Sequence, residues 1–173
     1  MAFGDVAQAP PALEQWVAKL DKDGTLLWQT VIDEGDGGYE VNGVKFDPWG
    51  DVIVFGTRYD GNVKVVKLSG VDGSFLWNVL IGDGDLWNEP YTGLDVDEDG
   101  FIYVGGIYYN GYTCYSDNFL VVKIDPNGGL VYMRDIQSIY NLYDDYGDGY
   151  AHNSISVKNG RMSLCFGYSY VPG

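Results

Sequence analysis

The chain has 173 residues, with 10 Lys and Arg against 25 Asp and Glu, which gives a formal net charge of −15. A chain of this length fits one domain. The charge excludes nucleic acid as a partner, because binding to phosphates requires a cationic surface, and it argues against binding to an anionic membrane. Hydrophobic residues make up 46% of the chain and aromatic residues 16%, which is enough for a buried core and excludes general disorder.

Residues 1–15 precede the first repeated element, and we interpret them as a leader or arm of the domain at 16–173. This segment has no basic start and no long apolar stretch, so it is not a standard signal peptide. No apolar run is long enough to cross a bilayer, and we therefore expect no membrane insertion. The two cysteines, Cys114 and Cys165, are too few for a disulfide framework.

A hairpin pattern recurs along the chain at 17–32, 65–81 and 121–136. Each copy has a Lys, then a turn glycine, then an aromatic residue: Lys19, Lys67 and Lys123; Gly24, Gly73 and Gly128; Trp28, Trp77 and Tyr132. A second pattern alternates with the first at 43–56, 93–106 and 154–167, with turn glycines Gly50, Gly100 and Gly160. Repeats with this spacing and strand content predict propeller blades.

The repeats predict strands because they contain β-branched and aromatic runs, such as Val-Ile-Val-Phe, that end in turns rich in Gly and Asp. Gly supplies the positive φ of a hairpin turn, and Asp accepts hydrogen bonds from its own backbone. The strands predicted in chain order are 16–21, 25–32, 41–47, 51–58, 63–69, 74–81, 91–97, 101–108, 118–125, 129–136, 152–158 and 161–168.

These strands group into four-stranded antiparallel blades at 41–81 and 91–136. A third blade takes its inner strands from 152–168 and its outer strands from 16–32, so both ends of the domain contribute to one sheet. About three blades are too few for a ring, because single propellers have about 4 to 8. We therefore predict an all-β fold of β-propeller blades that a dimer completes to six blades. A piece of a longer propeller and a strained ring of three blades are the alternatives.

The segments VVKLSGVDGSFLW and GLDVDEDGFIYVGG resemble the β-propeller repeats called SBBP repeats. They are similar, more distantly, to the tryptophan-bearing blades of pyrroloquinoline-quinone-type propellers. The resemblance covers residues 16 to 170 and implies a propeller fold. It implies little about function, since propellers host many unrelated activities. Repeats of this kind resemble those of secreted and cell-surface proteins.

The loops between blades carry the candidate functional residues. They read DEGDGGYE (33–40), GDGDLWNEP (82–90) and DDYGDGY (144–150), each with a Gly-Asp-Gly turn, further acids and aromatics. Aromatic rings beside hydrogen-bonding groups favour sugars, and the candidate ligand-binding residues are Tyr39, Arg58, Trp87, Tyr91, Tyr109 and Tyr150. Clustered carboxylates favour calcium, and the candidate metal ligands are Asp36, Asp83, Asp85 and Asp148. The interpretation that we prefer is a solvated rim of turns without a cofactor.

Three other sets of residues have structural interpretations. We expect the repeated lysines to pair with acidic neighbours or to extend outward. We expect the repeated Trp and Tyr residues to lock one sheet to the next. Cys165 alternates with larger apolar residues in a predicted strand, so we expect it to be a small core residue.

Catalysis has little support, because His152 is the only histidine and no nucleophile-elbow motif is present. We expect a non-enzymatic structural or binding module that assembles with itself or within a larger structure. Its expected setting is extracellular, at a cell surface, or in a virion or appendage. A carbohydrate-binding, lectin-like propeller is the first alternative, and a glycan-acting hydrolase or lyase is the second.

Overall fold

The computed structural model describes residues 15–32, 39–58, 62–82, 93–108, 118–137 and 150–169. Within these ranges the chain forms antiparallel strands and no helix. The strands are β1 (Gln15–Leu20), β2 (Leu26–Ile32), β3 (Tyr39–Phe46), β4 (Val52–Arg58), β5 (Val63–Leu68), β6 (Phe75–Ile81), β7 (Gly93–Val96), β8 (Ile102–Tyr108), β9 (Asn118–Ile124), β10 (Leu130–Gln137), β11 (Tyr150–Lys158) and β12 (Arg161–Ser169). The described part of the chain therefore offers no helix that could span a membrane.

The strands pair into two four-stranded and two two-stranded sheets. We call them the first sheet (β3–β6), the second sheet (β7–β10), the N-terminal half-sheet (β1–β2) and the C-terminal half-sheet (β11–β12). The all-β class and the four-stranded antiparallel sheets are confirmed, and every strand begins and ends within two residues of its predicted position. The two half-sheets are not joined to each other among the described residues, and each packs on a different sheet.

Four hairpin turns share one design, in which an Asp side chain holds the turn. Asp47 Oδ1 accepts hydrogen bonds from the backbone N–H groups of Trp49 and Asp51, each at 2.9 Å. The equivalent turns are held in the same way by Asp21, Asp97 and Asp125. The glycine in each turn has positive φ, 90° at Gly50, where a Cβ would be strained. The predicted Asp and Gly turn chemistry is confirmed at these positions.

The hairpin of the C-terminal half-sheet turns differently. Its turn residues are Asn159 and Gly160, with φ values of 51° and 66°, and Lys158 pairs directly with Arg161. Positive φ at both positions is the signature of a two-residue hairpin turn. Because this turn is shorter than the Asp-held turns, residues of β12 are displaced by one position when segment 154–167 is aligned end to end with 93–106.

The sheets pack face to face in chain order. We define the forward face of a sheet as the one that points to the next sheet along the chain, and the backward face as its opposite. Apolar side chains alternate between the two faces, as the two-residue period of a strand requires. Three buried clusters join successive sheets, and each contains residues of both neighbours, for example Val17 with Val54, Phe55 with Leu94, and Val121 with Ile155.

Candidate functional site

We call the edge of the sheets where the chain passes from one sheet to the next the loop end, and the opposite edge the turn end. The predicted ligand-binding residues that the structure describes lie at the loop end. Tyr39 begins β3 and Arg58 ends β4, and the two are direct partners in the antiparallel register. Tyr150 begins β11, where it pairs with Ser169 at the corresponding end of the C-terminal half-sheet. The backbone therefore places Tyr39 and Arg58 side by side at the edge where the loops between sheets begin.

The remaining candidate residues lie outside the described ranges. These are Trp87, Tyr91, Tyr109, Asp36, Asp83, Asp85 and Asp148. Within the described ranges, no group of three or more His, Cys, Asp and Glu side chains could hold a metal ion. The calcium site and most of the sugar-binding face therefore stay predictions.

Carboxylates at the turn end of the sheets serve the backbone. The N–H of Thr25, more than any other group, holds the pKa of the Asp21 carboxyl below its usual value. The Ser74 hydroxyl donates a 2.7 Å hydrogen bond to Asp72 Oδ1 and is the main cause of the lowered pKa of that carboxyl. These two carboxylates are hydrogen-bond acceptors that fix hairpin turns.

Lys67 is the central cation of the first sheet. Its Nζ lies 2.8 Å from Asp47 Oδ2 and 3.3 Å from Asp51 Oδ2, and its side chain is only 8% exposed. The ammonium group also lies 5.5 Å from the centre of the Trp49 ring. The predicted pairing of a repeated lysine with acidic neighbours is confirmed here.

The other two repeated lysines have different partners. Lys19 Nζ donates to the backbone carbonyl oxygen of Gly70 at 2.7 Å, which ties the N-terminal half-sheet to the first sheet. Lys123 Nζ lies 4.0 Å from the centre of the Phe101 ring and 4.9 Å from that of Tyr103. An aromatic face thus takes the place of the carboxylates in the second sheet.

Tyr103 satisfies the buried turn carboxylate of the second sheet. Its hydroxyl donates to Asp97 Oδ2 at 2.9 Å, while Asp97 Oδ1 accepts from two backbone N–H groups. Burial, followed by this hydrogen bond, raises the pKa of the Tyr103 hydroxyl far above its ordinary value. This hydroxyl and carboxylate are therefore fully used in holding the sheet together.

Indole rings cross from the N-terminal half-sheet and from the first sheet to a turn glycine of the next sheet. A Cβ added at Gly73 would lie 2.7 Å from the Trp28 ring, and one at Gly128 would lie 3.2 Å from the Trp77 ring. Trp77 Nε1 also donates to the carbonyl oxygen of Pro126, in the turn that its ring covers. The prediction that these aromatic residues lock one sheet to the next is confirmed for both tryptophans.

Asp95 links three successive sheets near their inner strands. Its Oδ1 lies 3.2 Å from Nζ of Lys45 in the preceding sheet. Its Oδ2 accepts a 2.7 Å hydrogen bond from the backbone N–H of Val157 in the following half-sheet. A single carboxylate therefore fixes the spacing of the first sheet, the second sheet and the C-terminal half-sheet.

Two large apolar faces on the outer strands lack a covering sheet among the described residues. Leu20, on the backward face of β1, is 53% exposed, whereas Leu68 in the same position of the first sheet is 2% exposed. Ile136, on the forward face of β10, is 40% exposed, whereas its counterpart Ile81 is 4% exposed. The sequence pattern treats these residues as core, and the difference lies only in what packs against them.

The backward face of β3 is open for the same reason. Val44 and Phe46 are 57% and 59% exposed, whereas Leu94, the counterpart of Val44 in the second sheet, is 7% exposed. The N-terminal half-sheet packs on the backward face of the first sheet at Val52, Val54, Val66 and Leu68, on its two central strands, and Lys19 Nζ lies 5.3 Å from the centre of the Phe46 ring on β3. A complete preceding blade would cover this face with two inner strands equivalent to β11 and β12, and the N-terminal half-sheet does not have them.

The forward face of the C-terminal half-sheet is polar and includes Cys165. The thiol is exposed, so the prediction that Cys165 is a core residue is wrong. The physical reason is that β12 is an edge strand, and within the described chain no sheet covers this face.

The same face carries an open depression of about 510 Å³ that sequence reasoning missed, lined by Ser156, Lys158, Asn159, Arg161 and Ser163. The depression could have been found in the sequence from Lys158 and Arg161, two cations at one hairpin of a strongly acidic chain.

Comparisons with known proteins show a distant likeness to solved structures. No family model matches the chain, and no curated protein matches it. The chain is similar to the crystal structure of a protein of unknown function from Bacteroides caccae, with 16% sequence identity and a TM-score of 0.48. The likeness covers 87% of this chain and 48% of that one, so the chain spans about half the length of that protein.

Proposed function

We propose that the chain is a non-enzymatic structural module, part of a β-propeller that becomes complete when two copies associate. Each copy brings two full blades and two half-blades, so a dimer has six blades and no half-blade left unpaired. In this role the protein decorates a cell surface, an extracellular structure, or a virion or appendage.

The observation that carries this proposal is the state of the two half-sheets. They correspond to complementary halves of one blade, since β1 and β2 repeat the outer strands β5 and β6, whereas β11 and β12 repeat the inner strands β3 and β4. Among the described residues, β1 and β12 each have an unpaired edge on the side where the other half of the blade would join, and an unpaired edge favours strand addition. Their union would cover exposed apolar residues on β1, β3 and β10, such as Leu20, Phe46 and Ile136.

Light scattering on a size-exclusion column tests the proposal. A mass of twice 19.1 kDa supports the dimer. A mass of 19.1 kDa at every concentration contradicts it. Since each copy carries a net charge of −15, the measurement belongs at moderate ionic strength, where charge repulsion between copies is screened. Repeating it with a calcium chelator tests the acidic loops as well, since loss of the dimer would indicate metal sites there.

Carbohydrate binding at the loop end is the second candidate function. The backbone pairing of Tyr39 with Arg58 favours it, because a tyrosine and an arginine at adjacent strand positions suit the faces and hydroxyl groups of a sugar. A glycan array tests this function, with Arg58→Ala as the variant and Lys22→Ala, an exposed cation in a turn at the opposite end of the sheets, as the matched control. Glycan binding that survives Arg58→Ala would refute this function, and so would an array on which no glycan binds.

A further inference from the structure

We infer that a second copy of this chain pairs its β1 with β12 in one defined register, with Cys165 opposite Val17 of the partner subunit. This inference rests on the proposed dimer and specifies its contacts. It follows from three steps: the placement of β12 relative to the complete sheets, the placement of β1, and the packing of the faces that the union brings together.

Contacts at two glycines place β11 and β12 relative to the second sheet. A Cβ on Gly43 would lie 3.6 Å from Leu94 Cβ, and a Cβ on Gly93 would lie 3.2 Å from Ile155 Cγ2. Ile155 therefore occupies in the C-terminal half-sheet the position of Leu94 in the second sheet. Leu94 pairs with Val104, and Ile155 pairs with Leu164. It follows that Leu164 takes the position of Val104, and Cys165 that of the next residue, Gly105.

Cross-strand pairs place β1 in the same frame. Lys19 pairs with Trp28 as Lys67 pairs with Trp77 and Lys123 with Tyr132. Ala18 therefore takes the position of Val122 and Val17 that of Val121.

The second sheet then supplies the register of the missing contact. There Val104 pairs with Val122, and Gly105 pairs with Val121. The first sheet uses the same register, since Val54 pairs with Val66 and Phe55 with Val65. By substitution, Leu164 pairs with Ala18 of the partner subunit and Cys165 pairs with Val17 of the partner subunit.

The aromatic contacts between sheets fit the same arrangement. Trp28 covers Gly73 and Trp77 covers Gly128, each in the outer turn of the next sheet. Tyr132 holds the third position of this series, and the outer turn that should follow it is the one at Gly24. Nothing lies within 4 Å of a Cβ placed at Gly24. In the dimer, the ring of Tyr132 covers Gly24 of the partner subunit.

The union also covers four open faces, which meet in two pairs. The backward face of β1, with Trp16 and Leu20, meets the forward face of β9 and β10, where Ile136 is exposed. The forward face of β11 and β12 meets the backward face of β3, where Val44 and Phe46 are exposed. One strand pairing thus buries apolar residues on three strands, β1, β3 and β10, that the single chain leaves in water, which identifies a second copy as the occupant.

A disulfide between strands tests the register. Directly opposed residues on antiparallel strands have Cβ atoms about 4.5–5.5 Å apart, close to the separation that a disulfide needs. In a Cys114→Ser background, Val17→Cys should form a covalent dimer with the native Cys165 when oxidised glutathione accepts the two electrons and two protons. Adding Cys165→Ser should abolish it. Ala18→Cys, whose side chain points to the opposite face, is the matched control and should remain monomeric on a non-reducing gel.

A second variant avoids any effect on the folding of the single chain. Leu20 is exposed in one copy, so Leu20→Glu should leave the unfolding transition of the dilute monomer unchanged. It should raise the dimer dissociation constant by at least about tenfold, because the dimer would bury that position. Val71→Glu, at a turn residue that is 90% exposed, is the control and should leave dimerisation unchanged.

The possible failures are distinguishable. One outcome would overturn the register but leave the proposed dimer standing. In it, light scattering shows a dimer, Leu20→Glu weakens that dimer, and Ala18→Cys cross-links it while Val17→Cys does not. A dimer that neither Leu20→Glu nor Val17→Cys affects would place the interface elsewhere and overturn this inference. A monomer at every concentration would overturn both the inference and the proposed function.

Discussion

Replacing Lys67 with Met should destabilise the protein by about 3–5 kcal/mol, the usual cost of removing one partner from a buried ion pair. Lys67 Nζ lies 2.8 Å from Asp47 Oδ2, and the two side chains are 8% and 1% exposed. Met preserves the length and the apolar packing of the stem, so the loss reports the charge. Two backbone N–H groups on Oδ1 compensate part of the charge left on Asp47, and we therefore expect the lower end of this range.

Urea denaturation followed by tryptophan fluorescence measures this effect. The matched control is Lys22→Met, since Lys22 Nζ lies at 2.7 Å from Asp23 Oδ2 but the side chains are 86% and 69% exposed. An exposed pair of this kind contributes at most about 1 kcal/mol. The double variant Lys67→Met with Asp47→Asn should recover part of the loss, because it removes the uncompensated charge. A loss at Lys67 no larger than that at Lys22, or no recovery in the double variant, would refute the argument.

Three further outcomes follow from the described contacts. Tyr103→Phe should cost about 1–3 kcal/mol, because it leaves a buried carboxylate oxygen without its donor. Because the pKa of Tyr103 is raised in the folded protein, the stability that its hydroxyl contributes is present below about pH 10 and is lost as pH rises through the pKa of the folded state. In alkaline denaturation, the free energy of unfolding of the Phe variant should therefore fall less steeply with pH than that of the wild type. Gly73→Ala should cost more than Gly50→Ala in thermal unfolding, since both glycines have positive φ but only Gly73 touches an indole ring. Asp21→Asn should lose less stability than the wild type as pH falls below about 4, because the native carboxyl has a lowered pKa and its contribution disappears as pH falls through the native pKa. No difference between the two in acid denaturation would count against this expectation.

The sequence predicted the strands closely because each hairpin carries its own local signal. An Asp, two residues and a Gly fix both the position and the geometry of a turn, and the alternation of apolar residues around it fixes the faces. The sequence alignment of the repeats misplaces β12 by one residue, because Asn159 and Gly160 form a shorter turn than Asp47–Asp51. The aligned segments, 154–167 and 93–106, have equal lengths, so the alignment does not reveal the shorter turn.

The partners of side chains were less predictable than the strands. The repeated lysines occupy one strand position, yet Lys67 meets carboxylates, Lys19 meets a carbonyl oxygen, and Lys123 lies over aromatic rings. What each cation meets depends on the neighbouring strand and on the next sheet, which the local pattern does not encode. Cys165 illustrates the same point, because its strand pattern is that of a core and its exposure depends on a sheet that one copy does not supply.

The contact between an indole ring and the glycine of the next turn gives the stack of sheets a direction. Trp28 and Trp77 reach forward and never backward, so every junction joins two unlike surfaces in head-to-tail order. Any run of such units, whatever its length, ends with a glycine turn at one extremity and an aromatic ring at the other. The chemistry of the junction therefore places no limit on the number of units, and only the angle between successive sheets decides how many of them return to the starting point.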